Sequence, residues 1–241
     1  MKTLCVIPVF NEDNRLINLI DQIKSYEYKN YNLTYIFVNN GSTDQSLNII
    51  KRSNIKYLNL KSNKGVGYAL MIGYLYAKKY NFKYLIHLAG NGKMKPSQIE
   101  LFMQHLLIKN YNFVSGSRFL DGSSKKNNPI IRVILIKIFS FFLKIFFNKN
   151  ISDPSCGFRA FEISIFSNFK KEYFEKKELF TYGYEYYSLG KVINSKDINF
   201  IEIPVSMDYP ITGKYSKIRP IIDWYIIAKF WIKGILSKNK L

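Results

Sequence analysis

An α/β fold on a mostly parallel sheet is the class this sequence predicts, and three observations predict it. Four times in the first half, an apolar run of strand length is followed by a run with apolar residues at helical spacing. The loops that follow several of the strand-like runs are rich in Asn, Gly and Lys, as loops at the carboxyl ends of parallel strands are when they hold a ligand. The chain has 241 residues, 47% of them hydrophobic, enough to build the core of one large α/β domain or two small ones. Strand–helix alternation of this kind implies parallel neighbours joined by right-handed crossovers.

The elements follow in order. Residues 3–10 (TLCVIPVF) read as a buried first strand, and 11–26 carry apolar residues at helical spacing. Residues 33–40 (LTYIFVNN) form a second strand, ended by the turn-former Gly41. Residues 46–53 are helical, 55–60 a short strand, 65–80 a helix and 82–89 a strand. Pro96 opens a helix over 96–110, since its missing N–H is harmless in a first turn. Residues 112–119 (NFVSGSRF) are the next strand. No internal repeat and no disordered linker interrupts this order.

The second half differs. Residues 129–147 (PIIRVILIKIFSFFLKIFF) have the hydropathy of a membrane span, but Arg132, Lys137 and Lys144 argue against one. Together with Ser140, these fall within a sector of about 140° at roughly 100° per residue. That pattern predicts a helix lying in a membrane interface with its basic groups toward headgroups. Residues 217–238 form a second such segment: Arg219, Asp223, Lys229 and Lys233 share one face, and Trp224, Tyr225, Ile226, Ile227, Phe230 and Trp231 supply apolar bulk. Either helix can instead pack on the domain's own core. The expected division is a main domain over 1–216 and a C-terminal amphipathic basic helix over 217–241.

Lys and Arg number 36 against 17 Asp and Glu, a formal charge of +19. An excess of base on this scale points to anionic partners: phosphates or an anionic membrane surface. Nucleic acid is not expected, because no nucleic-acid-binding motif accompanies the charge. The two cysteines, Cys5 and Cys156, lie far apart in different motifs. They suggest neither a disulfide framework nor a metal cluster and fit a reducing, cytoplasmic compartment. Residues 1–10 start with a base but lead to no small-residue cleavage site, so they read as a strand rather than a signal peptide.

The motifs VIPVFNE, NNGSTD, NKGVGYAL, SGSRF, DPSCGFRAF and IEIPV…GKYSKI occur in this order over about residues 3–220. Together they resemble the family 2 glycosyltransferases, and most nearly the dolichyl- or polyprenyl-phosphate sugar transferases. The resemblance implies a GT-A type nucleotide-binding fold, a nucleotide-sugar donor and inversion at the anomeric carbon. It implies a donor site at Pro8, Glu12, Asn39, Asn40, Lys64, Gly65 and Asn91.

Two departures from the family pattern bear on chemistry. The family usually reads DDGSTD where this chain has Asn39-Asn40-Gly41-Ser42-Thr43-Asp44. An amide still offers a carbonyl acceptor and an NH₂ donor to a base edge. The family's Asp-x-Asp, which holds Mg²⁺ or Mn²⁺ on the diphosphate, is replaced by Ala89 and Asn91. A hard divalent cation favours carboxylate oxygen, and neither residue supplies one, so these two positions give no metal ligand and no cofactor is firmly implied, with Mg²⁺ or Mn²⁺ held elsewhere left as the alternative. Lys93 and Lys95 arrive in the same loop, and ammonium groups can offset diphosphate charge. A metal-poor GNGK-type loop also occurs in one branch of the family.

The expected catalytic set is therefore Asp153, Lys93 and Arg118, with Arg118, Arg159, Lys214 and Lys217 taking phosphates. Arg118 and Arg159 each belong to a Gly-containing motif, where phosphate can approach backbone and guanidinium together. Asp153 can act as a general base or as a turn cap before Pro154. Lys214 and Lys217 can close on a product phosphate or simply be solvated. Glu185 is expected on a helix, either near the acceptor or not, and His87 within a strand. The leading expectation is sugar transfer to a polyprenyl phosphate by a peripheral protein at the inner membrane face. Two alternatives stand beside it: transfer to a glycan hydroxyl in surface polysaccharide assembly, and a non-catalytic membrane-surface subunit that binds a nucleotide or lipid phosphate. A membrane-protein partner or a homo-oligomer fits any of these.

Overall fold

The computed structural model describes residues 1–27, 31–124, 127–167, 176–209, 219 and 222–237. Seven strands form one sheet: β1 (Lys2–Val9), β2 (Asn32–Asn40), β3 (Lys56–Leu60), β4 (Tyr84–His87), β5 (Phe113–Ser117), β6 (Arg159–Glu162) and β7 (Phe200–Pro204), in the spatial order β3-β2-β1-β4-β6-β5-β7. The pairs β1/β2, β2/β3, β1/β4 and β5/β7 are parallel, and β6 runs antiparallel to both its neighbours. The helices are α1 (Asp13–Ser25), α2 (Ser46–Arg52), α3 (Val66–Lys79), α4 (Ile99–Leu107), α5 (Ile130–Phe147), α6 (Gly183–Asn194) and α7 (Ile222–Leu236).

The central strands are apolar at nearly every position because both faces of the sheet are covered. Side chains alternate between the faces. Leu4, Val6, Ile36 and Val38 pack with Leu70 and Tyr74 of α3 and with α6 and α7. Cys5, Ile7 and Phe37 pack with Leu16 and Leu19 of α1 and Phe102 of α4. The expected strands and helices of the first half are all present, shortened at several ends. Two strands, β6 and β7, were marked in the sequence only as motifs.

The two amphipathic segments behave differently. Helix α7 turns its apolar face inward: Trp231 is fully buried and its Nε1 donates to the Pro154 carbonyl at 3.1 Å. Glycines let α7 touch α6. A Cβ on Gly234 would stand 2.4 Å from the Tyr187 carbonyl oxygen, and one on Gly190 would stand 2.6 Å from that of Trp231. Helix α7 thus takes the core-packing alternative, and Lys229 and Lys233 face solvent. Helix α5 buries only Ile136 and Leu143. Ile130, Ile131, Ile134, Leu135, Ile138, Phe141, Ile145 and Phe146 are 40–76% exposed. Its polar sector is divided: Ser140 donates to the Ile151 carbonyl, Lys137 and Lys144 are exposed, and Arg132 turns toward the cleft described below. Among the described residues no helix is long and apolar enough to cross a membrane.

Candidate active site

The loops that follow β1, β2 and β4 meet at the carboxyl ends of the parallel strands, where α/β sheets bind ligands. Between them and the segments carrying Arg118, Ser155 and Tyr209 lies a cleft of about 730 Å³. Pro8, Glu12, Asn40, Gly65 and Asn91 of the expected donor site line it together, as do Lys93 and Arg118.

The donor-side loops are held by their own polar side chains. Asp44 accepts from the Asp13 N–H at 3.2 Å and the Ser46 N–H at 2.9 Å, and the Ser46 hydroxyl accepts from the Glu12 N–H at 2.9 Å. The loop after β2 thereby caps the start of α1, which fixes Glu12 at the cleft. Asn40 Oδ1 accepts from the Lys64 N–H at 3.1 Å, and its Nδ2 donates to Asn63 Oδ1 at 3.0 Å. Asn39 is almost completely buried and donates to Asn59 Oδ1 at 2.7 Å, so it supports Asn40 from behind. Gly65 has φ +95°, and a Cβ there would stand 2.2 Å from the Phe180 carbonyl oxygen, so only glycine suits. The Lys64 ammonium lies 5.5 Å from the Tyr68 ring centroid.

The donor set does not fit a hard divalent cation. Ala89 offers only its backbone, and Asn91 Oδ1 already accepts from the Lys93 N–H at 3.2 Å. The cleft's carboxylates, Glu12, Glu185 and Asp223, do not assemble into a metal-holding group, nor does any other cluster among the described residues. Asp223 is engaged by Arg219 at 2.9 Å, and Glu12 lies 3.6 Å from Arg15.

The far wall is cationic. Lys93 is 9% exposed, and its ammonium sits 4.8 Å from the Tyr209 ring centroid. Burial, followed by the charges of Arg132 and Arg15, lowers its pKa to about 7. Lys95 points elsewhere, pairing with Asp208 at 3.1 Å in a half-exposed contact. Arg118 lines the cleft, but its guanidinium is committed. It donates to Asp153 at 2.6 and 2.8 Å, to the Ser155 hydroxyl at 2.7 Å and to the Tyr209 phenol oxygen.

Asp153 has no exposed surface. Burial alone would raise its pKa, but the charge and hydrogen bonds of Arg118 outweigh that and hold it below the usual carboxylate range. Its turn is clamped by Glu202, which accepts from the Ser152 N–H at 2.6 Å and the Asp153 N–H at 2.9 Å. Asp153 is thus the charge partner of Arg118, and its Oδ1 also accepts from the Ser155 N–H at 3.3 Å within its own turn. Arg159 is 2% exposed and lies behind the cleft wall, donating to the Glu185 carbonyl at 2.8 Å. His87 is buried beside it and is kept neutral, its pKa lowered to about 3 by burial and then by Arg159. Glu185, on α6, borders the cleft with its pKa raised by burial against the opposing pull of Arg159. Lys214 and Lys217 lie outside the described residues.

Many cleft residues lie outside the expected set, Arg132 and Tyr209 among them. Arg132 reaches in from α5, though its place in an amphipathic pattern suggested a headgroup-facing side chain. Its only sequence signal is a lone guanidinium in the first turn of a very apolar helix. Tyr209 belongs to no motif and has no such signal.

The glycosyl transferase family 2 model matches residues 4–169. The chain belongs to that family. Glycosyltransferase family 2 relatives include a dolichyl-phosphate beta-glucosyltransferase (ALG5D) of Trichomonas vaginalis, 30% identical over 65% of this chain and 52% of that protein. Another is the UDP-N-acetylglucosamine–dolichyl-phosphate N-acetylglucosaminyltransferase of Methanococcus voltae, 24% identical over 89% of this chain and 87% of that protein. The chain spans about half to two thirds of the length of several curated relatives it matches. The fold is that of glucosyl-3-phosphoglycerate synthase from Mycobacterium tuberculosis, solved with Mn²⁺, UDP and glucosyl-3-phosphoglycerate. The TM-score is 0.67 at 14% identity, over 98% of this chain and 79% of that one.

Proposed function

We propose that this protein transfers a sugar, with inversion, from a nucleotide sugar to a polyprenyl phosphate at the cytoplasmic face of a membrane. The observation that carries the reading is the place of α5. One side of this helix delivers Arg132 to the cleft, and the other exposes a continuous apolar surface. A lipid lying against that surface would bring its phosphate to the cleft's cations. The relatives named for dolichyl-phosphate transfer support the same acceptor class.

In this reading an anionic acceptor oxygen attacks the anomeric carbon, and the bond from that carbon to the diphosphate oxygen breaks. An acceptor that is already ionised needs no general base, which agrees with the burial of Asp153. Lys93 and Arg132 meet the charge that develops on the leaving diphosphate, with Arg118 fixing the wall behind them. Pro8, Glu12, Asn40, Gly65 and Asn91 hold the nucleotide end, backed by Asn39 and Lys64. A donor screen by thermal shift over UDP-, GDP-, CDP- and CMP-sugars, followed by transfer assays with polyprenyl phosphate, tests the reading. Transfer to a glycan hydroxyl with no transfer to the lipid phosphate would overturn it.

Turnover should also survive chelation. EDTA should change the rate by less than about twofold, because ammonium and guanidinium groups supply the charge that a metal supplies elsewhere. Loss of activity in EDTA with recovery in Mg²⁺ or Mn²⁺ would show that other carboxylates hold an ion. At the membrane, flotation with vesicles should show binding that strengthens with anionic lipid and weakens with salt. Ile138→Asp combined with Phe141→Asp should abolish flotation while leaving the fold intact, since both side chains are exposed. Wild-type protein that stays unbound at low salt would remove the membrane from the proposal.

A further inference from the structure

Lys93, Arg118 and Arg132 carry like charges into one small cleft, and the repulsion is felt: Arg132, Arg15 and Arg118 all act to lower the Lys93 pKa. Asp153 pairs with Arg118, and Glu12 acts in the opposite direction on Lys93, but a further carboxylate among the three would cancel the positive potential that a diphosphate requires. Tyr209 meets all three groups without adding a net charge. Its phenol oxygen accepts from Arg118, its ring centroid lies 4.8 Å from the Lys93 ammonium, and it lies 5.8 Å from the Arg132 guanidinium carbon. The negative face of an aromatic ring attracts cations through its quadrupole, most strongly where water is excluded. Tyr209 is itself 4% exposed. It is fixed from outside the cleft as well. Its carbonyl accepts from Asn127 Nδ2 at 3.3 Å, and Met207 bridges to Met94, one residue beyond Lys93.

We infer that Tyr209 is a positioning residue that gathers Lys93, Arg118 and Arg132 into one diphosphate-binding wall without adding a counter-charge of its own. The inference rests on the reading of the cleft as a diphosphate site. Without the ring, the cations separate, and an incoming diphosphate must bring them together at the expense of affinity. The phenol oxygen and the ring do different work, and they can be removed separately.

The test is calorimetric titration with inorganic pyrophosphate, which does not depend on the identity of the nucleotide base. Tyr209→Phe keeps the ring and should bind within about threefold of wild type. Tyr209→Leu should bind about 10-fold more weakly, the loss of the ring's attraction expressed as a fold-change. Substitution of 3,4,5-trifluorophenylalanine keeps the shape of the ring but drains its face of negative charge, so it separates attraction from packing even if the leucine variant folds poorly. It should bind several-fold more weakly than Tyr209→Phe, with an unchanged melting temperature. Equal affinities for the phenylalanine and trifluorophenylalanine proteins would overturn the inference. Failure of wild-type protein to bind pyrophosphate would remove the diphosphate reading of the cleft, and the inference with it.

Discussion

Lys93→Ala should lower turnover by roughly 10–1000-fold, the range for removing one preorganised contact to transition-state charge. The ammonium is buried at the cleft wall, where the surroundings strengthen each charge and water does little to replace it. The pH dependence carries a sign that separates this role from a structural one. Burial and neighbouring cations lower the pKa to about 7, so the free protein loses the ammonium as pH rises through that value. With the charged form active, kcat/KM should fall above about pH 7 and be steady below it. A bound diphosphate favours the ammonium, so the corresponding fall in kcat should come at higher pH. Lys93→Arg stays charged throughout, and its kcat/KM should lack the alkaline decline even if its maximum is reduced. A wild-type profile flat between pH 6 and 9, with Lys93→Ala near wild-type turnover, would remove the side chain from the proposed mechanism.

How far the site could be read beforehand depended on whether its residues are placed by local or by distant structure. Strands β1, β2 and β4 are buried on both faces and read as continuous apolar runs, so the loops at their ends could be found from sequence. That placed Pro8, Glu12, Asn40 and Asn91 at one end of the sheet. Strand β6 escaped because it is four residues long and reads as part of a motif, although it supplies the antiparallel link between β4 and β5. The amphipathic pattern of α5 was legible, but not its orientation. That follows from Ile136 and Leu143 seating in the core and from Ser140 bonding to Ile151. Only with those contacts made does Arg132 enter the cleft. Tyr209 reaches its place through pairing and side-chain contacts with segments 82–116 residues earlier in the chain, which no local pattern encodes. The same distance effect governs Asp153, whose motif suits either a base or a structural anchor until Arg118 is seen lying across it.

Asp153→Asn should destabilise the protein by about 3–5 kcal/mol, the cost of leaving one member of a buried ion pair without its partner. Arg118 is 1% exposed and cannot turn to solvent without opening the wall around Ser155 and Tyr209. The amide is nearly isosteric, so packing changes little and the loss reports charge. It would be read as a lower urea midpoint at unchanged slope. Arg118→Met in the Asp153→Asn background should recover part of that stability, because an apolar side chain removes the orphaned cation. The sign with pH is fixed by the depressed pKa of Asp153. Its contribution is fully present above the unfolded-state value of about 4 and is lost as pH falls through the lower folded-state value. Wild type and Asp153→Asn should therefore converge in stability on acidification, and a gap that persists unchanged below pH 3 would contradict the ion-pair account. If Asp153→Asn kept wild-type stability yet lost turnover, the carboxylate would be acting on the substrate instead, and the base-free attack by an ionised phosphate oxygen would have to be abandoned.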